Sequence, residues 1–283
     1  MRIVGIGLGL IGGSLLLSIR KLIPEADFLG MDIEPAHLKT AKSLGIIDDI
    51  AKDALVSSAD IIVVSIPVDN SAETIRELLD KVSDNTLVLD TGSTKSNICS
   101  QLVDHPKRNQ FLATHPIAGT EFSGPQAAFE GLFNNKTMII SEVEKTLFSL
   151  QQRAIGLFDQ MQMNILYMDP KEHDQHIAYV SHLSHISSFM LGKTVIDKEK
   201  DERDIFDLAG SGFASTVRLA KSSPQTWTSI FKDNKVEVKQ ALANYIDNLQ
   251  AFQKALEAEE FEELYKEMDN TNRLKAILKG INS

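Results

Sequence analysis

The sequence has one cysteine, few aromatic residues and no long apolar run. Cys99, alone among 283 residues, excludes an intrachain disulfide and is typical of a reducing compartment. The longest apolar run, residues 61–68, is interrupted by Ser65 and Pro67 and is far too short to span a bilayer. Because the first predicted strand begins at Arg2, we expect no targeting peptide and a cytoplasmic protein.

Positive charge is also in short supply. The chain has 29 Lys and Arg residues against 39 Asp and Glu residues, which gives a formal net charge of −10. This balance provides no electrostatic reason to expect nucleic acid or an anionic membrane as a partner. An anionic substrate must therefore be bound by individual arginine, lysine or backbone N–H groups, against the overall field.

The first 140 residues alternate between compact apolar runs and amphipathic stretches. The runs are rich in Val, Ile and Leu without strict alternation, as expected of strands in a parallel sheet covered on both faces. A doubly wound α/β sheet with right-handed crossovers is therefore predicted, closed by a helix at 144–161 and a strand at 164–168. The other predicted strands are 2–6, 27–31, 60–66, 85–89, 110–113 and 136–140, and the helices between them are 9–22, 35–44, 71–82 and 94–102.

Strand patterns end near residue 168, where we place a boundary between a nucleotide-binding domain, 1–168, and a helical domain, 169–283. Charged residues 197–204 are predicted to form a solvated loop. The predicted helices are 171–196, 212–221, 224–256 and 259–278. The third carries one apolar seam, which suits close helix–helix packing. The seam residues are Val238, Leu242, Tyr245, Leu249, Phe252 and Leu256.

The segment Gly7-Leu8-Gly9-Leu10-Ile11-Gly12 matches the dinucleotide fingerprint, between a predicted strand and a predicted helix. The first glycine permits a tight turn, the second lets pyrophosphate approach the backbone, and the third lets helix and strand pack closely. Asp32 follows about 20 residues later, where a carboxylate accepts hydrogen bonds from ribose hydroxyls. No arginine follows nearby, so NAD is predicted rather than NADP. The predicted cofactor-binding residues are Gly7, Gly9, Leu10, Ile11, Gly12, Asp32, Ser65 and Pro67.

His115 is the best candidate for a general base. It follows strand 110–113, at the sheet edge where such folds bind ligands, and neutral imidazole accepts protons near physiological pH. Ser93 and Lys95 follow the neighbouring strand. Ser93 either orients a substrate hydroxyl or caps a helix from Thr94, and Lys95 either meets an anion or is solvated. Glu121 is either a lid residue or part of a surface salt bridge.

Four histidines lie between residues 173 and 185. On a continuous helix, His173 and His182 are on opposite faces, so the four cannot share one ion and no metal site is predicted. His182 and His185 lie one turn apart and can face the same cleft. Arg218, on a mostly apolar predicted helix, suits a carboxylate partner or reaches solvent. Trp227 is predicted to pack in a core or a dimer interface.

Together these segments resemble the prephenate dehydrogenase family, over residues 2 to about 270. The segments at 115–121 and 181–185 are far more specific than the glycine fingerprint. The fold this implies is a Rossmann-type doubly wound sheet followed by an all-helical domain like the C-terminal domain of 6-phosphogluconate dehydrogenase. The family's helical domain forms an intertwined homodimer, which suits the apolar seam.

The resemblance implies oxidative decarboxylation of prephenate to 4-hydroxyphenylpyruvate, with NAD⁺ as hydride acceptor, in tyrosine biosynthesis. It makes His115 the catalytic histidine and Ser93 the residue that helps to orient the substrate hydroxyl. Arg218 then binds a carboxylate and Glu121 gates the site. The implied substrate-binding residues are Arg218, His185, His182, Glu121 and Thr120.

The sequence departs from the family at two points. Ser184 replaces a common proline, which predicts a straighter helix with unmoved histidines. Ala214 and Ser215 replace a Lys-Asp pair found in some relatives, which argues against a polar gate between subunits. The chain ends at Ser283, so we expect no chorismate mutase or ACT domain and no feedback control through one.

Three other functions stay open. Arogenate dehydrogenase performs the same chemistry on a substrate with an amino group in place of the side-chain keto group, and Glu121 can tolerate its ammonium. A β-hydroxyacid dehydrogenase would need a lysine on the helical domain, for which Lys193 is the nearest candidate. The third is an NAD-responsive protein without catalysis, which would have no reason to keep His115, Ser93 and Arg218 together.

Overall fold

The computed structural model describes residues 1–200 and 204–281. Contacts within the chain divide it into one unit, Met1–Lys235, and a second that begins at Val236. The first unit contains a sheet and the helices that cover it, and the described part of the second is helical. In the described ranges, no helix has the length and apolar composition needed to cross a membrane.

The described strands form one eight-stranded sheet, and seven of them confirm predicted strands within a few residues. The one that was not predicted, β3, has only two residues, which is too short for a pattern to reveal. The strands are β1 Arg2–Ile6, β2 Asp27–Met31, β3 Asp49–Ile50, β4 Ile61–Val64, β5 Leu87–Asp90, β6 Phe111–Pro116, β7 Thr137–Ser141 and β8 Asn164–Tyr167.

The strand order is β3-β2-β1-β4-β5-β6-β7-β8, so the chain reverses its direction of travel across the sheet between β1 and β4. Neighbouring strands are parallel, with Val4 opposite both Leu29 and Ile62, except that β7 is antiparallel to β6. The prediction of a wholly parallel sheet is wrong at this pair. A parallel return needs a crossover element, and residues 117–136 contain only a short 3₁₀ turn, Pro125–Ala127.

Alternate strand residues enter two separate hydrophobic cores. On β1, Ile3 belongs to one cluster and Val4 to the other, and on β4 Ile61 and Ile62 divide in the same way. All four side chains are fully buried. Helices therefore cover both faces of the sheet, as its unbroken apolar runs predict. Only the edges and the strand ends are left for binding.

The helices of the first unit follow the predicted positions closely before residue 168. They are α1 Leu10–Leu22, α2 Pro35–Ser43, α3 Asp53–Val56, α4 Val68–Lys81, α5 Ser96–Leu102, α6 Phe148–Gln160, α7 Pro170–Ile177, α8 Leu183–Glu199, α9 Ser211–Thr216 and α10 Pro224–Asp233. The predicted loop at 197–204 begins later than expected because α8 continues to Glu199, and residues 201–203 of that loop lie outside the described residues.

Three long predicted helices are interrupted, and the one predicted at 259–278 divides into Phe261–Thr271 and Leu274–Ile281. The helix predicted at 171–196 contains a π turn, Ala178–His182, between α7 and α8, so it is not one regular α-helix. The helix predicted at 224–256 breaks at Asn234, whose side chain donates to the Asp174 carbonyl oxygen at 2.8 Å. A side-chain amide that hydrogen-bonds to backbone groups favours a break in the helix over its continuation.

The second unit continues α11 Lys235–Glu257 and adds α12 Phe261–Thr271 and α13 Leu274–Ile281. The apolar seam lies on α11. Val238, at its start, is buried, whereas Leu249, Phe252 and Leu256 are exposed by 52%, 41% and 47%. Large apolar side chains in a row on one helix are typical of a surface that another element covers.

Candidate active site

The glycine turn joins β1 to α1 and leaves open space over its backbone. Gly7 has a φ of +85°, and a Cβ there would lie 2.4 Å from the Ser65 carbonyl oxygen. A Cβ on Gly12 would lie 2.1 Å from the Gly7 carbonyl oxygen, so neither position accepts a side chain. A Cβ on Gly9 would meet nothing within 4 Å. This free approach to the backbone is what a pyrophosphate group requires.

Asp32 holds the glycine turn in place. Its carboxylate accepts hydrogen bonds from the Leu8 amide at 2.8 Å and the Glu34 amide at 2.9 Å, and it lies 3.3 Å from the His37 imidazole. The bond to Leu8 was not predicted, because it depends on how β2 folds beside β1. An ionised carboxylate has about four acceptor positions, so two amides leave capacity for ribose hydroxyls.

The ends of β4 and β5 meet beside this turn. The Thr91 hydroxyl donates to the Ser65 hydroxyl oxygen at 2.9 Å, and Pro67 directly precedes α4. Leu10 and Ile11 begin α1 on the other side of the turn. The predicted cofactor residues from β1 and β4 therefore lie next to each other, at the point where the strand order reverses.

Lys95 is a structural residue of this edge. Its ammonium group is fully buried and pairs with the Asp90 carboxylate, which also accepts from the Gly92 amide at 2.9 Å and the Thr114 amide at 3.0 Å. The anion that Lys95 meets is thus Asp90, and the solvated alternative is wrong. The pair ties β5, the following loop and β6 together beneath the site.

Ser93 does not cap the helix, so that alternative is also wrong. The helix begins at Ser96, two residues later than predicted. Its first amides are capped from outside, since the Asp174 carboxylate accepts from the Lys95 amide at 2.7 Å and from the Ser96 amide at 2.8 Å. Ser93 is partly buried in the loop just before this cap.

His115 lies inside β6, which runs three residues further than predicted, opposite Ile139 of β7. Its side chain is buried, and its Nδ1 lies 2.8 Å from Nε2 of His173. Nδ1 of His173 in turn lies 2.8 Å from the Asp174 carboxylate. His115 is therefore the outer member of a buried chain of three polar side chains.

The pKa of His115 is held well below its usual 6.5. Burial is the main cause, because it disfavours the charged imidazolium, and the nearby His173, Lys95 and His182 add to the effect. His115 is consequently neutral at physiological pH. A neutral imidazole with one free nitrogen is the state that a general base requires.

The pH dependence of turnover checks this state. A base whose pKa is lowered stays neutral until the pH falls through that lowered value. We expect log(kcat/KM) for the substrate, which reports ionisations of the free enzyme, to stay level as the pH is lowered from neutrality past 6.5, and to decline only below it. Steady-state rates across this range provide the measurement. A decline centred at or above pH 6.5 would contradict a shielded, neutral His115.

The π turn brings His182 to the same side as His173. The extra residue it accommodates rotates His182 by about 100°, so the prediction of opposite faces is wrong. Asn234 Nδ2 lies 3.3 Å from His182 Nδ1, and burial lowers the pKa of His182 to about 4. Since Nδ1 accepts from the amide, Nε2 carries the proton. That nitrogen is buried and has no hydrogen-bond partner among the described residues.

His185 stacks on Trp227, with ring centroids 3.4 Å apart and planes 24° apart. Its Nδ1 donates to the Ser181 carbonyl oxygen at 3.1 Å, and burial lowers its pKa. His182 contacts the same indole edge-on, at 5.9 Å. Trp227 is thus partly buried and packs against both histidines, and its place in a dimer interface stays a prediction.

Arg218 and Glu121 form an ion pair at 3.0 Å, between the loop after β6 and a 3₁₀ turn after α9. The Arg218 side chain is half exposed, so its guanidinium has donors left for a ligand. Hydrogen bonding from its own amide, and then Arg218, lower the pKa of Glu121. Thr120 accepts from the Phe122 amide at 3.2 Å in the same loop. Burial is the main cause of the lowered pKa of His185, and the positive charge of Arg218 adds to it.

Two other candidate residues, Lys193 and His176, lie outside the site. Lys193 pairs with Asp197 on the exposed face of α8, so it is not placed like a catalytic lysine. His176 is exposed on α7. No group of three or more His, Cys, Asp or Glu residues within 1–200 and 204–281 could hold a metal ion.

Three residues of the site were missed from the sequence, namely His173, Asp174 and Asn234. Asp174 and Asn234 carry no motif, and His173 was considered only as a metal ligand. The one available signal was the Asp169-Pro170 start of α7, where Asp169 accepts from the Lys171 amide at 2.8 Å. This signal predicts where α7 begins, but it does not predict which residues α7 contacts.

Comparison with known proteins agrees with this geometry. A model described as "Prephenate dehydrogenase, nucleotide-binding domain" matches residues 15–165, and one described as "Prephenate dehydrogenase, dimerization domain" matches 169–270. The chain is 31% identical over 268 residues to prephenate dehydrogenase of Bacillus subtilis, which covers 92% of this chain and 71% of that protein.

Solved structures are similar over almost the whole chain. A crystal structure of prephenate dehydrogenase from Aquifex aeolicus, in complex with hydroxyphenyl propionate and NAD⁺, has a TM-score of 0.90 and 30% identity and covers 98% of both chains. Synechocystis arogenate dehydrogenase has a TM-score of 0.75 and 26% identity, with coverage of 96% of this chain and 98% of that one.

Proposed function

Because the chain belongs to the prephenate dehydrogenase family, we propose that it catalyses the NAD⁺-dependent oxidative decarboxylation of prephenate to 4-hydroxyphenylpyruvate. That it is an NAD-dependent oxidoreductase of tyrosine biosynthesis follows from the family. The observation that carries the choice of chemistry is His115, a buried neutral imidazole whose Nδ1 is engaged by His173 and whose Nε2 is left for a substrate.

The residues present fit NAD. Gly9 leaves open space over the helix N-terminus, and Asp32 ends β2 with spare acceptor capacity for the adenosine ribose. Ser65 and Pro67, between β4 and α4, would border the nicotinamide half of the cofactor. When bound, NAD⁺ supplies the acceptor for the hydride that leaves C4 of the substrate ring.

The residues of this chain then transfer a proton and bind the two carboxylates of the substrate. Loss of hydride makes the C4 hydroxyl acidic, and Nε2 of His115 takes its proton to leave a ketone. The ring carboxylate departs as CO₂, its bonding electrons complete the aromatic ring, and the new phenolate oxygen takes the proton back. No net proton is released. General-base help of this kind is worth about 10²–10⁴-fold in rate.

Substrate binding is assigned to the residues around this histidine. Ser93 orients the C4 hydroxyl from the loop after β5. His182 donates a hydrogen bond to the substrate from its Nε2–H. His185, which stacks on Trp227, is a polar residue of fixed orientation beside the substrate. Arg218 binds a carboxylate with the donors that Glu121 leaves free, and Glu121 and Thr120 form the loop that covers the substrate.

Arg218→Ala checks the carboxylate assignment. A charged hydrogen-bonded contact contributes about 1.5–3 kcal/mol, so we expect the KM for prephenate to rise roughly 10- to 100-fold with little change in the KM for NAD⁺. Lys221→Ala, which removes an exposed cation three residues away, is the matched control. An equal rise in both variants would mean that only the general positive field matters.

Arogenate is the second candidate substrate, because the chain is also similar to an arogenate dehydrogenase over nearly its full length. The hydroxyphenyl propionate bound to the Aquifex enzyme has a carboxylate side chain without an ammonium group, which supports prephenate. Comparing kcat/KM for the two substrates tests the choice. A value for prephenate well above that for arogenate is expected, and the reverse order would make this chain an arogenate dehydrogenase.

The family's second model and the exposed seam on α11 support a homodimer formed through the helical part. We keep the division at residue 168 on the same basis, with 1–168 binding the cofactor and 169–283 completing the site and the dimer. A cytoplasmic location remains part of the proposal. Sedimentation of the purified chain at several concentrations tests the assembly, for which a stable dimer is the expected species.

A further inference from the structure

We propose that Asp174 and His173 form a proton relay behind His115. The two positioning residues hold His115 with its proton on Nδ1, and His173 accepts that proton when Nε2 of His115 takes one from the substrate hydroxyl. This inference rests on the proposed function for the identity of the substrate. The arrangement of the three side chains is independent of it.

The direction of the hydrogen bonds follows from Asp174. Its carboxylate accepts from the Lys95 and Ser96 amides, and these bonds with His173 keep its pKa low against the opposing effect of burial. An ionised carboxylate only accepts, so Nδ1 of His173, 2.8 Å away, must carry a proton. In the proposed resting state His173 carries this one proton, so its Nε2 is an acceptor. Nδ1 of His115, 2.8 Å from it, must therefore donate, which leaves Nε2 of His115 free to accept.

The charges around the relay favour transfer of the proton from His115 to His173. Burial, and after it His173, Lys95 and His182, lower the pKa of His115, so a positive charge on its ring is disfavoured. His173 is equally buried but lies directly against the Asp174 carboxylate. A proton that reaches Nε2 of His173 therefore sits next to a negative charge, whereas one kept on His115 does not.

The nearby ammonium group and the second nearby carboxylate are already engaged by other side chains. Lys95 is bound to Asp90. Asp233 accepts from Thr94 at 2.5 Å and from Asn97 at 2.6 Å, and burial raises its pKa. Asp174 is thus the carboxylate that contacts an imidazole of the relay. Asn234 fixes its backbone carbonyl, and the helix cap fixes its side chain.

Each step of the relay is balanced. The substrate hydroxyl proton goes to Nε2 of His115, and the Nδ1 proton of His115 goes to Nε2 of His173. His173 becomes an imidazolium between His115 and the Asp174 carboxylate, and His115 stays neutral throughout. When the ring becomes aromatic, the two protons return along the same path to His115 Nδ1 and to the phenol oxygen.

The relay is tested with His173→Gln, His173→Leu and, as control, His176→Gln, which changes an exposed histidine on the same helix. Glutamine can still accept from Nδ1 of His115 but cannot take up its proton, and leucine does neither. We expect kcat to fall roughly 10- to 100-fold in both His173 variants, more in the leucine variant, with the KM for both substrates within about two-fold of wild type.

The pH profile and the ligand-free protein provide two further readouts. Removing His173 removes one cause of the low pKa of His115, so the acidic limb of kcat/KM should move to higher pH in both His173 variants and stay in place in His176→Gln. Nitrogen-15 NMR of the imidazoles in cofactor-free wild type should show His115 protonated at Nδ1 and His173 unprotonated at Nε2. This spectrum does not depend on any variant folding.

Two results would overturn the relay, namely a His115 protonated at Nε2 in the wild-type spectrum, or a folded His173→Leu enzyme with kcat within about two-fold of wild type. Failure of the proposed function looks different. In that case the wild-type enzyme itself forms no NADH with prephenate or arogenate, while the NMR spectrum still reports the state of the three side chains.

Discussion

Replacing His115 with asparagine is expected to lower kcat by about 10²–10⁴-fold and to leave NAD⁺ binding unchanged. The side chain is buried at the end of β6 and meets His173 through Nδ1, so its other nitrogen is placed for the substrate. Asparagine fits the space and can still bond to His173, but it cannot accept a proton. Steady-state kinetics with prephenate give kcat, and quenching of Trp227 fluorescence by NAD⁺ or calorimetry gives the affinity.

His176→Asn is the control for this substitution, since it makes the same change on the exposed face of α7. It should retain wild-type kcat and stability. A His115→Asn enzyme that turns over prephenate at close to the wild-type rate would remove His115 from the chemistry. A parallel loss of NAD⁺ affinity would mean that the variant disturbs the sheet edge and not the proton transfer alone.

Lys95→Met is expected to destabilise the first unit by about 3–5 kcal/mol. Lys95 and Asp90 are both fully buried and paired, and removing one partner leaves an uncompensated charge inside the protein. The Gly92 and Thr114 amides still donate to Asp90, but they do not neutralise it. Because Trp227 is the only tryptophan and lies in the first unit, its fluorescence during urea unfolding reports the stability of this unit.

The matched control for Lys95→Met is Lys171→Met, which removes an exposed lysine near the same strand ends. Its unfolding midpoint should stay close to that of wild type. If Lys95→Met instead unfolds at the wild-type midpoint and loses only substrate affinity, Lys95 serves the ligand and the structural role given to it here is wrong.

The sheet could be predicted from the sequence because burial on both faces leaves a strong local signal. Apolar runs such as Ile61–Val64 are stable as central strands buried between similar strands. The glycine turn determines where the first helix starts. The direction of β7 could not be predicted in this way. Its residues resemble those of a parallel strand, and its direction depends on the connection at 117–136 having no crossover helix.

The site could be predicted only in part, because its key contacts join distant segments. His115 was identifiable from its position after a strand. Its link to His173 was not, since 58 residues separate them and a π turn, invisible to helical periodicity, alters which histidines share a side. The choice between the two alternatives for Lys95 could not be made for a similar reason, because only the folded sheet brings Asp90 against it. The local sequence pattern predicts the helices and strands, whereas the path of the proton depends on how these elements pack against one another.

The most direct test of the account is the product balance of the purified enzyme with prephenate and NAD⁺. We predict that NADH, CO₂ and 4-hydroxyphenylpyruvate form in equal amounts, and that no net proton is released. NADH can be followed by absorbance, the aromatic acid by chromatography and CO₂ by trapping. No NADH with prephenate, or NADH formed without an equal amount of CO₂, would contradict the proposed reaction.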